Sequence, residues 1–333
     1  MDAKDTQGKP LISVILSFRN EELVIPALIQ RLQASLDPLE LSYELIFVDD
    51  DSTDRSASIL SEHAARDDRI KVITMARKFG VAECILAGLS YSRGEAAIYM
   101  DTDLQDPPEV IPQLIEKWRQ GAEIVNTIRT RREGETAFKK KLTAFAYRLI
   151  RVISAEADLP VEAGDFKLLS RRAVKQMLAL PESDPYLRGL VRWIGFRQEF
   201  VPYERKPRAG GKSHFPCFAH LIRDLLSLRG PAGTFIIGIT SFSMFPLLFF
   251  LFLGMLFILA STVAAAILGI LALAGIGISG ILWLILLAVF LTGIQLSGIG
   301  TLGLYLARIY RDARGRPRYI VENARGFDRE GSK

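Results

Sequence analysis

Apolar runs alternate with helical patterns through the first 130 residues of the chain. Short segments rich in β-branched residues predict strands at 11–18, 43–49, 70–76, 96–101 and 122–128. Between them, apolar residues recur at helical spacing and predict helices at 21–36, 53–66, 81–93 and 109–120. This alternation predicts an α/β domain with a mostly parallel, doubly wound sheet, in which ligands bind at the carboxyl ends of the strands. Ser52 and Thr53 are cap candidates for the second helix.

A different pattern occupies the C-terminal part of the chain. Residues 230–307 contain no Asp, Glu, Lys, Arg or His, and these 78 residues are long enough for two membrane-spanning helices. Six basic residues lie between 205 and 229, and six more lie between 308 and 325. Because positive charge near span ends favours the cytoplasmic side, we predict an even number of crossings, as a two-helix hairpin.

The two patterns divide the chain into a globular domain followed by a membrane-associated part. We predict a cytoplasmic domain at 1–213, an amphipathic juxtamembrane helix at 214–232, a transmembrane hairpin at 233–307 and a basic cytoplasmic tail at 308–333. The apolar spacing near the start of the second part fits either a helix in the membrane interface or one packed on the globular domain. The polar N-terminus resembles no export signal, so we expect a multi-pass protein of the inner (plasma) membrane with its globular domain in the cytoplasm.

Composition narrows the possible partners. The net charge of +5 and the pI near 9.2 could indicate nucleic-acid binding, but the basic excess lies beside the predicted spans. We therefore expect it to meet membrane lipid or an anionic lipid substrate, and we expect no nucleic-acid partner. Cys84 and Cys217 fit a reducing compartment and suggest neither a disulfide framework nor a zinc site.

Candidate chemistry lies where the predicted strands end. The segment YMDTDLQDPP at 99–108 ends a strand in Asp101 and Asp103. Two carboxylates one residue apart can hold Mg²⁺ or Mn²⁺ against a nucleotide diphosphate, although an acidic surface turn is the alternative. The other strand ends that carry charge are RNEE at 19–22, DDDSTD at 49–54 and Arg77 with Lys78.

Six motifs occur in one order along the chain. They are RNEE at 19–22, VDDDSTD at 48–54, RKFG at 77–80, DTDLQDPPE at 101–109, AGDFKLLSRRAV at 163–174 and YERKPRAGGKS at 203–213. With the predicted hairpin and the segment GLYLARIYRDARGRPRYIV at 303–321, this series resembles the glycosyltransferase family 2 enzymes that glycosylate polyprenyl phosphates. It is most similar to the bactoprenyl-phosphate glucosyltransferase branch, with dolichol-phosphate mannosyltransferases as more distant relatives. The resemblance implies a GT-A fold and a homo-oligomer, often a tetramer.

The resemblance also implies roles for individual residues. The nucleotide-sugar contacts would be Glu22, Asp50, Lys78, Asp101 and Asp103. The Mg²⁺ or Mn²⁺ ligand would be Asp103, with Asp101 beside it. Asp165 matches the aspartate at the sugar acceptor centre, to which the family usually gives the role of catalytic base. The residues that match phosphate-gripping positions are Arg129, Arg132, Arg205, Arg208 and Ser213.

Some positions depart from the family pattern. Asp51 stands where the family usually has glycine, which adds a third carboxylate beside the base pocket. Lys78 replaces a common asparagine, and His214 stands where a lysine is expected. Two alternatives to the catalytic base stay open for Asp165. In the first, Asp165 orients the sugar or stabilises an oxocarbenium-like centre, because a lipid phosphate is already anionic near pH 7 and needs no strong base. In the second, Asp165 caps a helix starting near Ser170.

The predicted activity is the inverting transfer of a hexose, with glucose as the default, from a UDP-sugar to undecaprenyl phosphate on the cytoplasmic face of the membrane. Galactose, N-acetylhexosamine, aminoarabinose-type and mannose donors remain open, because the choice of sugar depends on a few pocket contacts. A processive polysaccharide synthase is disfavoured, because two spans cannot form a translocation channel. A non-enzymatic membrane scaffold is disfavoured by the acidic set Asp101, Asp103 and Asp165.

Overall fold

One mixed sheet forms the centre of the structure, which is a computed structural model describing residues 10–131, 163–182, 185–204, 263 and 280–327. Within this part, eight strands lie in the order β7-β5-β6-β4-β1-β2-β3-β8. Numbered along the chain, they are β1 (Ile12–Phe18), β2 (Tyr43–Asp49), β3 (Ile70–Met75), β4 (Ala96–Asp101), β5 (Ile124–Arg131), β6 (Ala163–Ser170), β7 (Gln198–Glu204) and β8 (Val321–Arg325).

The middle of the sheet is the parallel set β4, β1, β2 and β3. Each of these strands lies within one residue of its predicted bounds, because continuous apolar runs are typical of parallel strands buried on both faces. The strands β5 and β7 also pair in parallel. The pairs β4–β6, β5–β6 and β3–β8 are antiparallel. The prediction of a mostly parallel sheet is therefore confirmed at the centre, whereas antiparallel pairs were not predicted.

Helices cover both faces of the sheet. These helices are α1 (Ile25–Leu36), α2 (Ser56–Ala64), α3 (Val81–Tyr91), α4 (Ile111–Arg119), α5 (Arg171–Ala179) and α6 (Leu187–Trp193). The structure also describes α7 (Gly280–Ala313), in the C-terminal part of the chain. Side chains alternate between the faces, so that Val14 and Leu16 of β1 join the core under α1, α2 and α4, while Ile15 joins the core under α3, α5 and α6. The four predicted helices correspond to α1 to α4.

The predicted cap of α2 is wrong. The helix begins at Ser56, and the side chain of the preceding residue, Arg55, makes no capping hydrogen bond. The Oγ of Ser52 instead accepts a hydrogen bond from the backbone N–H of Asn20 at 3.0 Å, and the backbone N–H of Thr53 donates to Asn20 Oδ1 at 2.7 Å. Both residues therefore join the loop after β2 to the loop after β1.

The strand β8 brings the C-terminal part of the chain back to the sheet. It pairs antiparallel with β3, and just beyond the pair the backbone N–H of Ala76 donates to the carbonyl of Ile320 at 2.9 Å. The hydroxyl of Tyr319 donates to Ser90 Oγ at 2.8 Å. The predicted basic tail at 308–333 thus contains a strand of the same sheet as the N-terminal domain, and the sequence pattern gave no sign of this.

The predicted membrane segments are described only in part. The juxtamembrane helix at 214–232 lies outside the described residues, as does the first half of the hairpin apart from Val263. The second half overlaps α7 (Gly280–Ala313), which is 34 residues long and extends past the predicted end of the hairpin at 307 into the predicted tail. Judged on the described residues alone, no helix is both long and apolar enough to cross a membrane. The two-helix hairpin therefore stays a prediction.

A lysine is buried inside the sheet. Lys167 on β6 is 1% exposed, and its Nζ donates to Asn126 Oδ1 on β5 at 2.8 Å. The Nδ2 of Asn126 donates in turn to Gln198 Oε1 on β7 at 2.9 Å. Burial lowers the pKa of Lys167 to about 8, an effect that the Asp165 carboxylate opposes and the Arg188 guanidinium reinforces.

Backbone strain gathers at one edge of the sheet. Among the described residues, four that are not glycine have a positive φ, and three of them follow β1, β2 and β4 directly. These are Asn20 (φ 56°), Asp51 (φ 63°) and Leu104 (φ 58°). Left-handed backbone costs a residue with a side chain about 1 kcal/mol or more, and such strain concentrates at functional sites.

We expect Lys167→Met to change how stability depends on pH. The folded pKa of Lys167 near 8 lies below its ordinary value of 10.5, so the unfolded chain binds more protons between these values. The free energy of unfolding of the wild type should therefore rise, relative to the variant, by about 3 kcal/mol between pH 8 and 10.5. Denaturant unfolding of both proteins at several pH values measures this, and parallel pH profiles would mean that burial does not lower the pKa of Lys167.

We expect Asp51→Gly to stabilise the fold by up to about 1 kcal/mol. Glycine adopts a φ of 63° without strain, and the change also removes a charge near Asp49 and Asp54. Asp51→Ala is the control, because it removes the same charge and keeps a Cβ at the strained position. In thermal unfolding, the glycine variant should have a higher melting temperature than the alanine variant. The reverse order would mean that the backbone conformation at residue 51 is not strained.

Candidate active site

Polar loops from four strands meet at one edge of the sheet. Because β4, β1, β2 and β3 are parallel neighbours, their carboxyl ends lie side by side. The segments that follow them are Asp101 to Asp103 after β4, 19–22 after β1, 50–54 after β2 and 77–80 after β3. The sequence predicted this gathering, and the structure confirms that these four charged loops share an edge.

The antiparallel strand β6 adds Asp165 to the same edge. Because β6 runs opposite to β4, its first residues lie beside the last residues of β4. The register pairs Tyr99 with Lys167, and continued by two residues it brings Asp165 across from Asp101. These two carboxylates are separated by 64 positions in the sequence, and the antiparallel β6 brings both to the same edge of the sheet.

The predicted phosphate contacts are only partly described. Arg129 lies near the end of β5, with its Cα opposite Tyr203 of β7, and both strands end at the edge that carries Asp101. Arg132, Arg205, Arg208 and Ser213 lie outside the described residues. The chain thus leaves β5 at Arg131 and β7 at Glu204 on the acidic side of the sheet, immediately before the predicted phosphate contacts.

The loop after β4 is held in a tight turn. The hydroxyl of buried Thr102 donates to the carbonyl of Ser17 at 3.2 Å, which fastens the loop to β1. The backbone N–H of Gln105 donates to Asp103 Oδ1 at 3.1 Å, and Leu104 between them has a positive φ. These bonds leave Asp101 and Asp103 partly exposed at the edge of the sheet.

The donor set fits a divalent cation that substrate phosphates complete. Among the described residues, no three His, Cys, Asp or Glu side chains are grouped to hold a metal ion by themselves. Asp101 and Asp103 offer carboxylate oxygens, and Mg²⁺ is commonly held by one or two carboxylates together with phosphate oxygens and water. The pair therefore suits Mg²⁺ or Mn²⁺ in the presence of a nucleotide diphosphate.

The loops after β1 and β2 brace each other. The backbone N–H of Glu22 donates to Asp54 Oδ2 at 3.2 Å, and Glu22 Oε2 accepts from the backbone N–H of Arg55 at 3.1 Å. Burial alone would raise the pKa of Asp54, but hydrogen bonds from Ser56 and Glu22 outweigh it and lower that pKa. Glu22 therefore shapes this loop, and its side chain remains about one third exposed.

The three adjacent aspartates at the end of β2, Asp49 to Asp51, have different surroundings. Asp49 is buried, which raises its pKa, and Asp49 Oδ1 accepts from the backbone N–H of Ser52 at 2.9 Å. Asp50 is buried too, and its Oδ1 accepts from the backbone N–H groups of Phe79 at 2.6 Å and Gly80 at 3.2 Å. Asp51, by contrast, is exposed. The carboxylate that departs from the family pattern is thus the one most open to solvent.

Asp50 therefore fixes the loop that carries Lys78. Gly80 of that loop has a φ of 131°, where a Cβ would also lie 2.9 Å from Glu83 Oε2, so glycine suits the turn into α3. Lys78 itself is exposed, and its carbonyl accepts from Arg77 Nη1 at 3.0 Å. The structure brings Lys78 to the edge that the sequence predicted.

Asp165 forms an ion pair that the sequence analysis missed. The Nε of Arg188 on α6 donates to Asp165 Oδ1 at 2.6 Å, and Nη2 donates to Oδ2. The capping alternative for Asp165 is wrong, because Ser170 caps α5 by accepting from the backbone N–H of Ala173 at 3.1 Å. The buried Lys167 was also missed, although a lysine inside the apolar run FKLL is an available signal.

Comparison with known proteins identifies the family of the chain. The model of "Glycosyl transferase family 2" matches residues 13–178. The "Uncharacterized glycosyltransferase YkcC" of Bacillus subtilis is 40% identical over 317 residues, covering 95% of this chain and 94% of that protein. The "Bactoprenol glucosyl transferase" of Shigella phage SfV is 35% identical over 313 residues, covering 94% of this chain and 98% of that protein.

Among solved structures, mannosyl-3-phosphoglycerate synthase from Rubrobacter xylanophilus has 17% sequence identity and a TM-score of 0.48, covering 70% of this chain and 73% of its own. The sequence relatives cover almost the full length of both chains, so the similarity extends beyond the matched 13–178. The mixed α/β sheet carries the charged loops along one edge. The chain belongs to glycosyl transferase family 2, and along nearly its whole length it is similar to the bactoprenol glucosyl transferases.

Proposed function

We propose that this enzyme transfers a hexose, glucose in the first place, from a UDP-sugar to undecaprenyl phosphate. The observation that carries the proposal is the meeting of Asp101, Asp103 and Asp165 at the edge where β5 and β7 lead into basic segments. A metal-binding acidic pair beside basic residues suits a reaction in which both substrates carry phosphate. The names of the Shigella phage relatives support the glucose and the bactoprenol.

The donor would lie across the parallel strands. Glu22, Asp50 and Lys78 would contact the nucleotide, with Asp50 acting through the loop that it fixes. Asp101 and Asp103 would hold Mg²⁺ or Mn²⁺ at the diphosphate. When bound, such a cation neutralises the charge that develops on the UDP leaving group. Solved complexes of glucosyl-3-phosphoglycerate synthase from Mycobacterium tuberculosis contain Mn²⁺ and UDP.

The acceptor would approach from the side of β5 and β7. Arg129, Arg132, Arg205, Arg208 and Ser213 would bind its phosphate. An oxygen of that phosphate forms a bond to C1 of the sugar as the bond from C1 to the UDP oxygen breaks, which inverts the configuration. No proton has to be removed, because a lipid phosphate is anionic near pH 7. Asp165 would then orient the sugar rather than act as a base.

The C-terminal part of the chain would attach the enzyme to the membrane. We propose a cytoplasmic catalytic domain, a juxtamembrane helix at 214–232 and a two-helix hairpin at 233–307, with a tetramer as the assembly. The uncharged stretch of 78 residues supports the hairpin, as do large apolar side chains exposed on α7, such as Leu284 and Ile299. The strand β8 supports an even number of crossings, because the chain leaves the sheet at Glu204 and rejoins it at Val321.

We expect purified enzyme to move label from UDP-[¹⁴C]glucose to undecaprenyl phosphate, giving a product that extracts into organic solvent. Other UDP-sugars and GDP-mannose, tested in parallel, should be poorer donors. If only another donor gives labelled lipid, that sugar replaces glucose in the proposal. If none of the donors gives labelled lipid, the proposed acceptor is wrong. An assay of released UDP without lipid distinguishes hydrolysis from transfer.

We expect Asp103→Ala to abolish transfer, because the cation loses a main protein ligand. Calorimetric titration with UDP in Mn²⁺ should also show the loss of metal-dependent binding, which is a readout independent of activity. Asp68→Ala is the control, because this exposed aspartate lies before β3, at the opposite edge of the sheet. Full turnover of Asp103→Ala, or of wild type in excess EDTA, would rule out the metal site.

We expect both ends of the membrane segment on the cytoplasmic side. A green fluorescent protein fused after residue 333 should fluoresce, and an alkaline phosphatase fused there should be inactive. The control fusion replaces the chain after 275, between the predicted spans, where the phosphatase should be active. An active phosphatase after residue 333 would require an odd number of crossings and would contradict the pairing of β8 with β3.

A further inference from the structure

Arg188 grips Asp165 with both arms of its guanidinium. The Nε donates to Oδ1 at 2.6 Å and the Nη2 to Oδ2, so each carboxylate oxygen has its own charged donor. The two side chains are 28% and 30% exposed, which leaves the pair at the edge of the sheet with one side open. A planar fork that binds a carboxylate in two places fixes its orientation, which a lysine ammonium cannot do.

The helix that carries Arg188 is itself tied to the sheet. Leu187, Leu190 and Val191 of α6 are buried in the core under that face. At its far end, Gln198 Nε2 donates to the carbonyl of Val191 at 3.2 Å. The position of the guanidinium is therefore set by packing and by a hydrogen bond to β7.

Further hydrogen bonds connect Gln198 to β6, the strand that carries Asp165. Gln198 Oε1 accepts from Asn126 Nδ2 at 2.9 Å, and Asn126 Oδ1 accepts from Lys167 Nζ at 2.8 Å. Lys167 is two residues from Asp165 on β6, so both project from the same face of the sheet. The ion pair and the buried row together close a ring of contacts through α6, β7, β5 and β6.

The ring of contacts places positive charge around Asp165. Arg188 and Lys167 set two cations around one carboxylate, and the lysine is buried at a cost in solvation. A buried polar row of this kind fixes one arrangement of the strands and the helix when each member has a partner. The arrangement that it fixes holds Asp165 at the ends of β4 and β6.

We propose that Arg188 is the positioning residue for Asp165 in the transfer step, holding the carboxylate in the orientation that the sugar requires. This inference rests on the proposed function, in which Asp165 acts at the sugar. Arg188 acts through Asp165 and belongs to none of the motifs that carried the family resemblance. Misplacement of a catalytic group by about 1 Å is enough to lower a rate about 100-fold.

The test compares Arg188→Gln with Arg188→Lys under saturating UDP-glucose and undecaprenyl phosphate. The glutamine variant should lose about 100-fold in kcat with little change in KM for UDP-glucose, and the lysine variant should recover part of the loss. Arg31→Gln is the matched control. Arg31 also binds a carboxylate in two places, Glu109 at 2.9 and 2.7 Å, and its side chain is also 28% exposed. That control should keep its kcat.

Melting temperatures of all variants separate positioning from stability. If Arg188→Gln melts lower but keeps the wild-type kcat, Arg188 is a structural residue and the inference is wrong. If Arg188→Gln does not fold, the kcat of Arg188→Lys tests the inference instead. A lysine variant with the wild-type kcat would show that one positive charge suffices and that the orientation of the Asp165 carboxylate is irrelevant.

A double variant separates this inference from the proposed function. Asp165→Asn should lose activity by itself, and adding Arg188→Gln should cost little more, because the two residues act as a unit. Losses that multiply would show that Arg188 acts independently of Asp165. If Asp165→Asn is fully active, the role proposed for Asp165 fails; if it is inactive while Arg188→Gln is active, the positioning inference alone fails.

Discussion

The active edge depends on the direction of the strands. Four parallel strands bring their carboxyl ends to one side, and the antiparallel β6 starts where β4 ends. Reversing β6 would carry Asp165 to the far edge, away from Asp101, without altering a single residue. The hydrogen-bonded ladder that sets strand direction is therefore the constraint on which the placing of Asp101 and Asp103, the ion pair of Asp165 with Arg188 and the ends of β5 and β7 all depend.

Bracing between loops keeps this edge in shape. Asn20 bonds Ser52 and Thr53, Asp50 bonds the loop before α3, and Thr102 bonds β1. Each bond joins segments far apart in sequence, so the loops support each other rather than acting as separate turns. Several acidic and hydroxyl side chains in the motifs therefore hold the loops together.

The C-terminal strand links the catalytic sheet to the proposed membrane part. β8 pairs with β3, and the contact between Ala76 and Ile320 lies two residues before Lys78. The strand that leads into the loop of Lys78 is thus covered on its outer side by the chain that follows α7. An edge strand protected in this way is less open to pairing with other chains.

The sequence by itself determined the central elements and most of the candidate chemistry. Continuous apolar runs located β1 to β4, because strands buried on both faces leave few polar positions, and the polar residues after each run located the edge. It failed where long-range pairing decides the outcome. A local pattern does not report strand direction, so the sequence analysis missed the antiparallel β6 and β8 and put caps of α2 on residues that bond Asn20. Arg188 was missed because its partner lies 23 positions away, on another element. Only the tertiary structure decided these contacts, since a hydrogen bond or ion pair between distant segments depends on how the sheet is assembled and not on the residues around either partner.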